Sequence, residues 1–327
     1  MSRLLHRAPG PYDPPVAVRE LTAVSADGAR LHVETYGPEG APAVVLAHGW
    51  TCSTAFWAPV ARQLATGFRV IAYDQRGHGR SPAASPAAYS TSVLADDLEA
   101  VLGASLDPGE RAVLAGHSMG AMTFLAAAGR TAFRAHAAAV LLCSTGSSRL
   151  LSEARVVPLR NERIRTRVHR TLLGTALPLG PVTPPARRLL KYVTMGAAAT
   201  PEMTEACARI VHACPPRVRA AWAHVLGELD LEANPERLDV PTAVVAGTAD
   251  RLTPIGHARR IVAALPHCVG FTELAGLGHM TPVEQPDTVV GLIRELVRDH
   301  LAAGGPPALE QDEHDGRTTA TVKEETS

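Results

Sequence analysis

The sequence predicts an α/β fold, a mostly parallel sheet of eight strands with helices on both faces. Short β-branched or apolar runs alternate with longer segments of helical period, the pattern of strand–helix–strand units. The strongest hairpin signal, Asp27-Gly28, sits near the N-terminus, so the first two strands are expected to be antiparallel. One long stretch, 147–237, interrupts the alternation without offering a convincing strand.

The expected strands, in chain order, are 18–24, 30–36, 43–47, 68–73, 111–115, 138–143, 242–246 and 270–274. Helical segments are expected over 54–65, 92–103, 119–129, 256–264 and 286–302. The last begins with Pro286 and Asp287, good first-turn residues, and carries Val289, Leu292, Ile293 and Leu296 on one stripe, so it should pack on the sheet. Within 147–237, prolines at Pro178, Pro181, Pro184-Pro185 and Pro215-Pro216 separate arginine-rich helical stretches. This is the pattern of a helical cap inserted after the sixth strand. The expected organisation is an N-terminal extension (1–17), a core made of 18–146 and 238–303, the cap (147–237) and a disordered tail (304–327). That tail is polar, acidic and free of aromatic residues, a composition that cannot support a packed core.

Composition narrows the function. The 327 residues carry 32 Lys+Arg against 32 Asp+Glu, a balance that gives no attraction to nucleic acid or an anionic membrane. The N-terminus lacks an apolar stretch long enough for a signal segment, and no run approaches the ~20 apolar residues of a membrane span. Cys52, Cys143, Cys207, Cys214 and Cys268 are odd in number and lack the spacing of a zinc site or a disulfide framework. They read as reduced thiols in a cytoplasmic protein.

The chemistry is concentrated in Gly116-His117-Ser118-Met119-Gly120, which follows the apolar run 111–115. In a parallel sheet, ligands bind where the C-terminal strand ends and their loops converge. A G-x-S-x-G sequence at that point places the serine on a tight turn, and its flanking glycines let strand and helix approach. The bare pentapeptide is a weak signal that a glycine-rich turn with a helix-capping serine would also give, and its place between strand and helix favours the nucleophile. A serine hydroxyl needs a base, and the base needs an orienting acid. Asp250 follows the strand 242–246, and His279 lies in the glycine-rich loop after 270–274. His117 adjoins the serine and should point away from it, while the Ser144-Thr145-Gly146-Ser147-Ser148 loop offers no carboxylate. Ser118, Asp250 and His279 are therefore the candidate nucleophile, acid and base. Oxyanion donors are worth ~3–4 kcal/mol each in the transition state. The backbone amides of Met119, at the start of the next helix, and Trp50, in the loop His48-Gly49-Trp50-Thr51-Cys52, are the candidates.

Together with the Asp74-Gln75-Arg76-Gly77-His78-Gly79-Arg80-Ser81 turn, these motifs resemble the α/β-hydrolase fold family, in its serine-nucleophile branch of esterases and cofactor-free haloperoxidases. The resemblance runs from about Val18 to Ala302. It implies acyl-enzyme hydrolysis of a small-molecule ester-type substrate, with no metal or organic cofactor, and a structural role for the Asp74–Ser81 turn. Serine at 118 in place of aspartate disfavours epoxide and halide chemistry. Lactone, thioester or carbon–carbon hydrolysis and perhydrolysis use the same triad, and a ligand receptor or scaffold of this fold is the non-enzymatic alternative. Substrate choice should rest with the cap. Its arginine-rich stretch 149–170 either attracts an anionic substrate or, more commonly for such runs, is a solvated helix face. Leu172, Leu173, Leu177, Leu179, Tyr192, Val193, Met195 and Trp222 are candidates to line a pocket for a small to medium hydrophobic group.

Overall fold

The computed structural model describes residues 10–301. Its sheet contains β1 (Arg19–Val24), β2 (Arg30–Tyr36), β3 (Ala43–Ala47), β4 (Arg69–Tyr73), β5 (Ala112–His117), β6 (Ala137–Cys143), β7 (Thr242–Gly247) and β8 (Cys268–Leu274). The strand order is β1-β2-β4-β3-β5-β6-β7-β8. The β1–β2 hairpin turns at Asp27-Gly28, with Gly28 at φ 85°, as the sequence suggests. The β2–β4 pair is also antiparallel, and β3 to β8 run parallel with β4. Register is exact across the centre: Val45 opposes both Ile71 and Leu114.

The helices are α1 (Ala58–Leu64), α2 (Thr91–Ser105), α3 (Met119–Ala127), α4 (Thr131–His136), α5 (Leu150–Glu153), α6 (Glu162–Leu173), α7 (Pro184–Thr194), α8 (Pro201–Ala213), α9 (Pro216–Gly227), α10 (Gly256–Ala264), α11 (Thr281–Glu284) and α12 (Pro286–His300). The expected helix 54–65 divides into a 3-10 turn, Thr54–Trp57, followed by α1. Pro59 lies in the first turn of α1, where its missing N–H costs nothing. The short helix α4 has no counterpart in the sequence reading.

Two cores flank the sheet. Alternate residues of β3 serve both: Val45 joins Leu94, Leu98, Phe124 and Ile261 on one face. Val44 and Leu46 join Val60, Leu64, Ile293 and Val297 on the other. A central strand buried on both faces must be apolar at every position, and β3, Ala43-Val44-Val45-Leu46-Ala47, is. Each fully buried Val, Leu or Ile contributes about 1.5–3 kcal/mol against the cost of ordering the chain.

Between β6 and β7 the chain forms α5 to α9 and returns through a 3-10 turn, Pro235–Arg237. Pro184, Pro201 and Pro216 each open a helix, so the prolines mark starts rather than breaks. No helix among the described residues is long and apolar enough to cross a membrane. The expected tail 304–327, residues 302–303 of the expected core, the first of which ends the expected helix 286–302, and the first nine residues of the expected extension lie outside the described residues.

Candidate active site

β5 delivers Ser118 to a turn at φ 51° and ψ −115°, a region that residues with a side chain rarely occupy. The turn is tight because α3 starts immediately afterwards. A Cβ on Gly116 would lie 2.6 Å from the Ala121 nitrogen, and one on Gly120 would lie 2.1 Å from the Ala47 carbonyl oxygen. The two glycines are thus required by close approach. Ser118 N–H donates to the Cys143 carbonyl at 2.9 Å, and Thr145 Oγ1 donates to the Ser118 carbonyl at 2.9 Å. These bonds tie the strained turn to the end of β6.

Asp250 and His279 follow β7 and β8. His279 Nδ1 lies 2.7 Å from Asp250 Oδ2, both side chains buried. The Asp250 carboxylate also accepts from Leu252 N–H at 2.8 Å, Thr253 N–H at 2.9 Å and Thr253 Oγ1 at 2.8 Å. A carboxylate so held presents a fixed acceptor to the imidazole, which selects the tautomer with its proton on Nδ1 and its lone pair on Nε2. Ser118, His279 and Thr253 line one cavity of about 340 Å³. Among the described residues, the Ser118 hydroxyl and His279 Nε2 have no protein hydrogen-bond partner.

The loop bearing His279 is fixed from two sides. His279 N–H donates to the Thr194 carbonyl, at the end of α7, at 2.7 Å. Glu284 accepts from Gly196 N–H at 2.7 Å, Gly278 N–H at 3.1 Å and Met280 N–H at 3.2 Å. Burial pushes the Glu284 carboxyl above its usual range, against the three amides that favour its charged form. His117 points away from the serine, as expected; its Nε2 reaches the His279 carbonyl at 2.8 Å and its ring stacks on Phe56 at 4.5 Å. Desolvation holds His117 well below the usual histidine range, so it is neutral and donates from Nε2.

The amides of Trp50 and Met119 have no protein acceptor among the described residues. The loop carrying Trp50 is braced by the Asp74–Ser81 turn. Gln75 N–H donates to His48 Nε2 at 3.0 Å, Thr51 N–H to His78 Nε2 at 3.2 Å, and Thr54 N–H to Asp74 Oδ1 at 2.8 Å. Burial depresses His48 to about 3 and His78 to about 4, which keeps both as neutral acceptors. Within the turn, Arg76 is buried and paired with Asp97 at 2.7 Å and with Asp27.

The cavity wall is largely apolar. Leu172, Leu173, Leu179 and Val193 line it, whereas Leu177, Tyr192, Met195 and Trp222 do not. Trp222 is packed edge-on against Tyr89 and donates to the Arg76 carbonyl at 3.0 Å. None of the arginines at 149–170 reaches the cavity. All but Arg165 are exposed; Arg165 is half-buried and donates to the Ser152 carbonyl, and Arg149 pairs with Glu232 at 3.3 Å. Cys52 is buried, its thiol pushed well above the usual range by desolvation, and no cysteine lines the cavity. A larger, more open depression of about 1050 Å³ between residues 10–13 and α7–α8 contains none of the candidate catalytic residues. Among the described residues, the one grouping with metal-ligand chemistry is Glu20, His32 and Glu34, and Arg80 sits on it at 2.8 Å from Glu20.

Sequence reading missed Thr253, Glu284 and the bracing histidines. Asp250-x-x-Thr253 carried a signal, an aspartate followed by a residue able to donate both amide and hydroxyl in a local turn.

A family model described as "Alpha/beta hydrolase family" matches residues 44–292. "Putative carbamate hydrolase RutD" from Caulobacter vibrioides is 31% identical over 275 residues, covering 83% of this chain and 96% of that protein. The protein of the same name from Variovorax paradoxus is 46% identical over 96 residues, and the chain spans only 35% of its length. Among solved structures, a thermophilic esterase from Thermogutta terrifontis superposes with a TM-score of 0.67 at 26% identity, over 86% of this chain and 98% of that one.

Proposed function

The chain belongs to the alpha/beta hydrolase family, and from that premise we propose that it is a serine hydrolase cleaving a carboxylic ester with a small to medium hydrophobic group. One observation carries the reading: Asp250, Thr253 and His279 form a connected chain that opens, with Ser118, into a single apolar cavity.

In the proposed reaction His279 Nε2 takes the proton of Ser118 Oγ as that oxygen attacks the ester carbonyl. The new C–O bond forms as the carbonyl π pair moves onto oxygen, where the Trp50 and Met119 amides receive it. Collapse expels the alkoxide, which takes the proton from His279. Water, deprotonated by His279, then attacks the acyl-enzyme and releases the acid and Ser118. Asp250 stabilises the imidazolium throughout both steps. The helices α5 to α9 act as a cap that bounds the substrate. A cavity of about 340 Å³ is near the lower end of the usual range for small-molecule sites, which favours short to medium acyl chains.

Hydrolysis of p-nitrophenyl esters from acetate to palmitate, by native protein and Ser118→Ala, tests this. A chain-length optimum that disappears in the variant is expected. Equal rates from both folded proteins would remove Ser118 from the mechanism on these esters. The Caulobacter relative's name favours one second reading, a carbamate in place of the ester. Attack on an alkyl carbamate would expel the alcohol and leave a carbamoyl-enzyme, whose hydrolysis gives carbamic acid and, on its decarboxylation, ammonia; Ser118-dependent ammonia release faster than turnover of the matching ester favours this reading.

A further inference from the structure

Twenty-six residues line the cavity beside Ser118, and Arg219 is the one carrying a permanent charge; no aspartate or glutamate is among them. Its side chain projects from α9 and the residue is 4% exposed. Buried arginines are normally paired with a carboxylate, because an unpaired buried cation costs several kcal/mol. Arg219 has no carboxylate within ion-pair distance among the described residues. Its Nη2 donates to the carbonyls of Thr175, at 3.1 Å, and Leu177. Nε and Nη1 have no protein acceptor among those residues, and neither is sealed from accessible space.

Its position relates it to the chemistry. The Arg219 carbonyl accepts from Trp50 Nε1 at 3.0 Å, and Trp50 supplies one of the two proposed oxyanion amides. One indole side chain thus separates the backbone of Arg219 from the amide that would hold the reacting carbonyl. A planar guanidinium with free donors, in a largely apolar cavity that holds no carboxylate, matches a carboxylate in shape and charge.

We propose that Arg219 is a specificity-determining residue that binds a carboxylate on the substrate, so that the preferred ester is the half-ester of a short dicarboxylic acid. This deepens the serine-hydrolase reading and rests on it. The scissile carbonyl sits between Trp50, Met119 and Ser118, the methylene chain lies against the leucines of the wall, and the terminal carboxylate meets Arg219. The arginines of 149–170 play no part in this recognition, since none lines the cavity.

The test compares mono(4-nitrophenyl) succinate, glutarate and adipate with the neutral 4-nitrophenyl ester of equal chain length, in native protein, Arg219→Gln and Arg219→Lys. Glutamine keeps a donor for the Thr175 and Leu177 carbonyls but carries no charge; lysine keeps the charge without the planar fork. The native protein should prefer at least one half-ester over its neutral counterpart in kcat/KM. Arg219→Gln should reduce that preference about tenfold or more, mostly through KM, as expected for loss of a charge-assisted hydrogen bond. Arg219→Lys should retain part of it. An unchanged preference in Arg219→Gln would make Arg219 a structural staple only and overturn the proposal. Native preference for the neutral ester at every chain length would overturn it even if neither variant folds. Should no ester be cleaved at all, calorimetric titration with glutarate separates the two failures. Binding lost in Arg219→Gln keeps the carboxylate site while the ester reading falls, and no binding to native protein removes both.

Discussion

Gly120→Ala offers the sharpest test of how the fold positions the chemistry. The added methyl carbon would lie 2.1 Å from the Ala47 carbonyl oxygen, 2.5 Å from its carbon and 2.8 Å from the His48 carbonyl oxygen. All three are backbone atoms, so no side chain can swing aside. Ordinary contact starts near 3.4 Å, and the start of α3 must therefore separate from the end of β3 by about 1 Å. Those segments carry Met119 and lead into Trp50, the two proposed oxyanion donors, so the methyl acts as a wedge between them. Overpacking of this kind costs about 1–3 kcal/mol of stability. A displacement of about 1 Å at a reacting centre is worth about a hundredfold in rate, and a lost oxyanion donor costs about 10²–10³ in kcat. The variant should fold with a lowered midpoint and lose at least a hundredfold in kcat on a short p-nitrophenyl ester. Gly291→Ala, in the middle of α12 with open space around its Cβ, is the control: it should keep full activity and gain up to about 1 kcal/mol in urea unfolding. A Gly120→Ala protein with kcat within threefold of native would refute the claim that this close approach sets the oxyanion geometry.

Two further outcomes are expected. Asp250→Asn should retain the fold, since its neighbours Leu252 and Thr253 can still donate to the amide oxygen, but lose about 10⁴ in kcat because the imidazole is no longer held in the required tautomer; full activity would place the acid elsewhere. The Arg76 guanidinium holds Asp27 at about 2, below its ordinary 3.8. A depressed carboxyl contributes stability above its unfolded pKa and loses it as pH falls through the folded one, here from about 4 down to about 2. Asp27 is half exposed, so the contribution is at most about 1 kcal/mol. Urea midpoints measured from pH 5 to pH 3 should fall more steeply for native protein than for Asp27→Asn, and parallel curves would count against the pairing.

The strands were legible because those of the sheet's interior are apolar at consecutive positions and bounded by turns, so β3, β5, β6 and β7 stand out as runs. The antiparallel partnership of β2 with β4 was not, because pairing across 33 intervening residues leaves no local mark on either strand. Helix α4 escaped notice because Thr131–His136 is a single turn and a half with one buried residue, Phe133, too short to show a period. At the site, Ser118, Asp250 and His279 could be named because each follows a recognisable strand. Arg219 could not: it is one arginine among many in a helical stretch, and only packing distinguishes the one that lines a cavity from those on the outer surface. Glu284 was hidden for a similar reason, since nothing in Thr281–Glu284 announces that its carboxylate will gather two amides of its own loop and a third from Gly196, 88 residues away.

The bonds from Thr194 and Gly196 to the His279 loop have a mechanical consequence. Thr194 ends α7 and Gly196 follows it, so the middle of the helical insertion is fastened to the segment that carries the proposed base. Any hinge that lifted α7 away from the sheet would drag His279 with it or break the three hydrogen bonds that join them, from His279 N–H and Met280 N–H to the Thr194 carbonyl and from Gly196 N–H to Glu284. Movement that admits a molecule without disarming the base is therefore confined to the opposite side, around α6 and the 175–180 segment, where the chain is exposed and Gly180 takes a positive φ of 70°. The roof of the cavity is pinned to the proposed base at one wall; at the other it is held by bonds that leave the base untouched, those of Arg219 to the Thr175 and Leu177 carbonyls and of His212 to the Gly180 carbonyl.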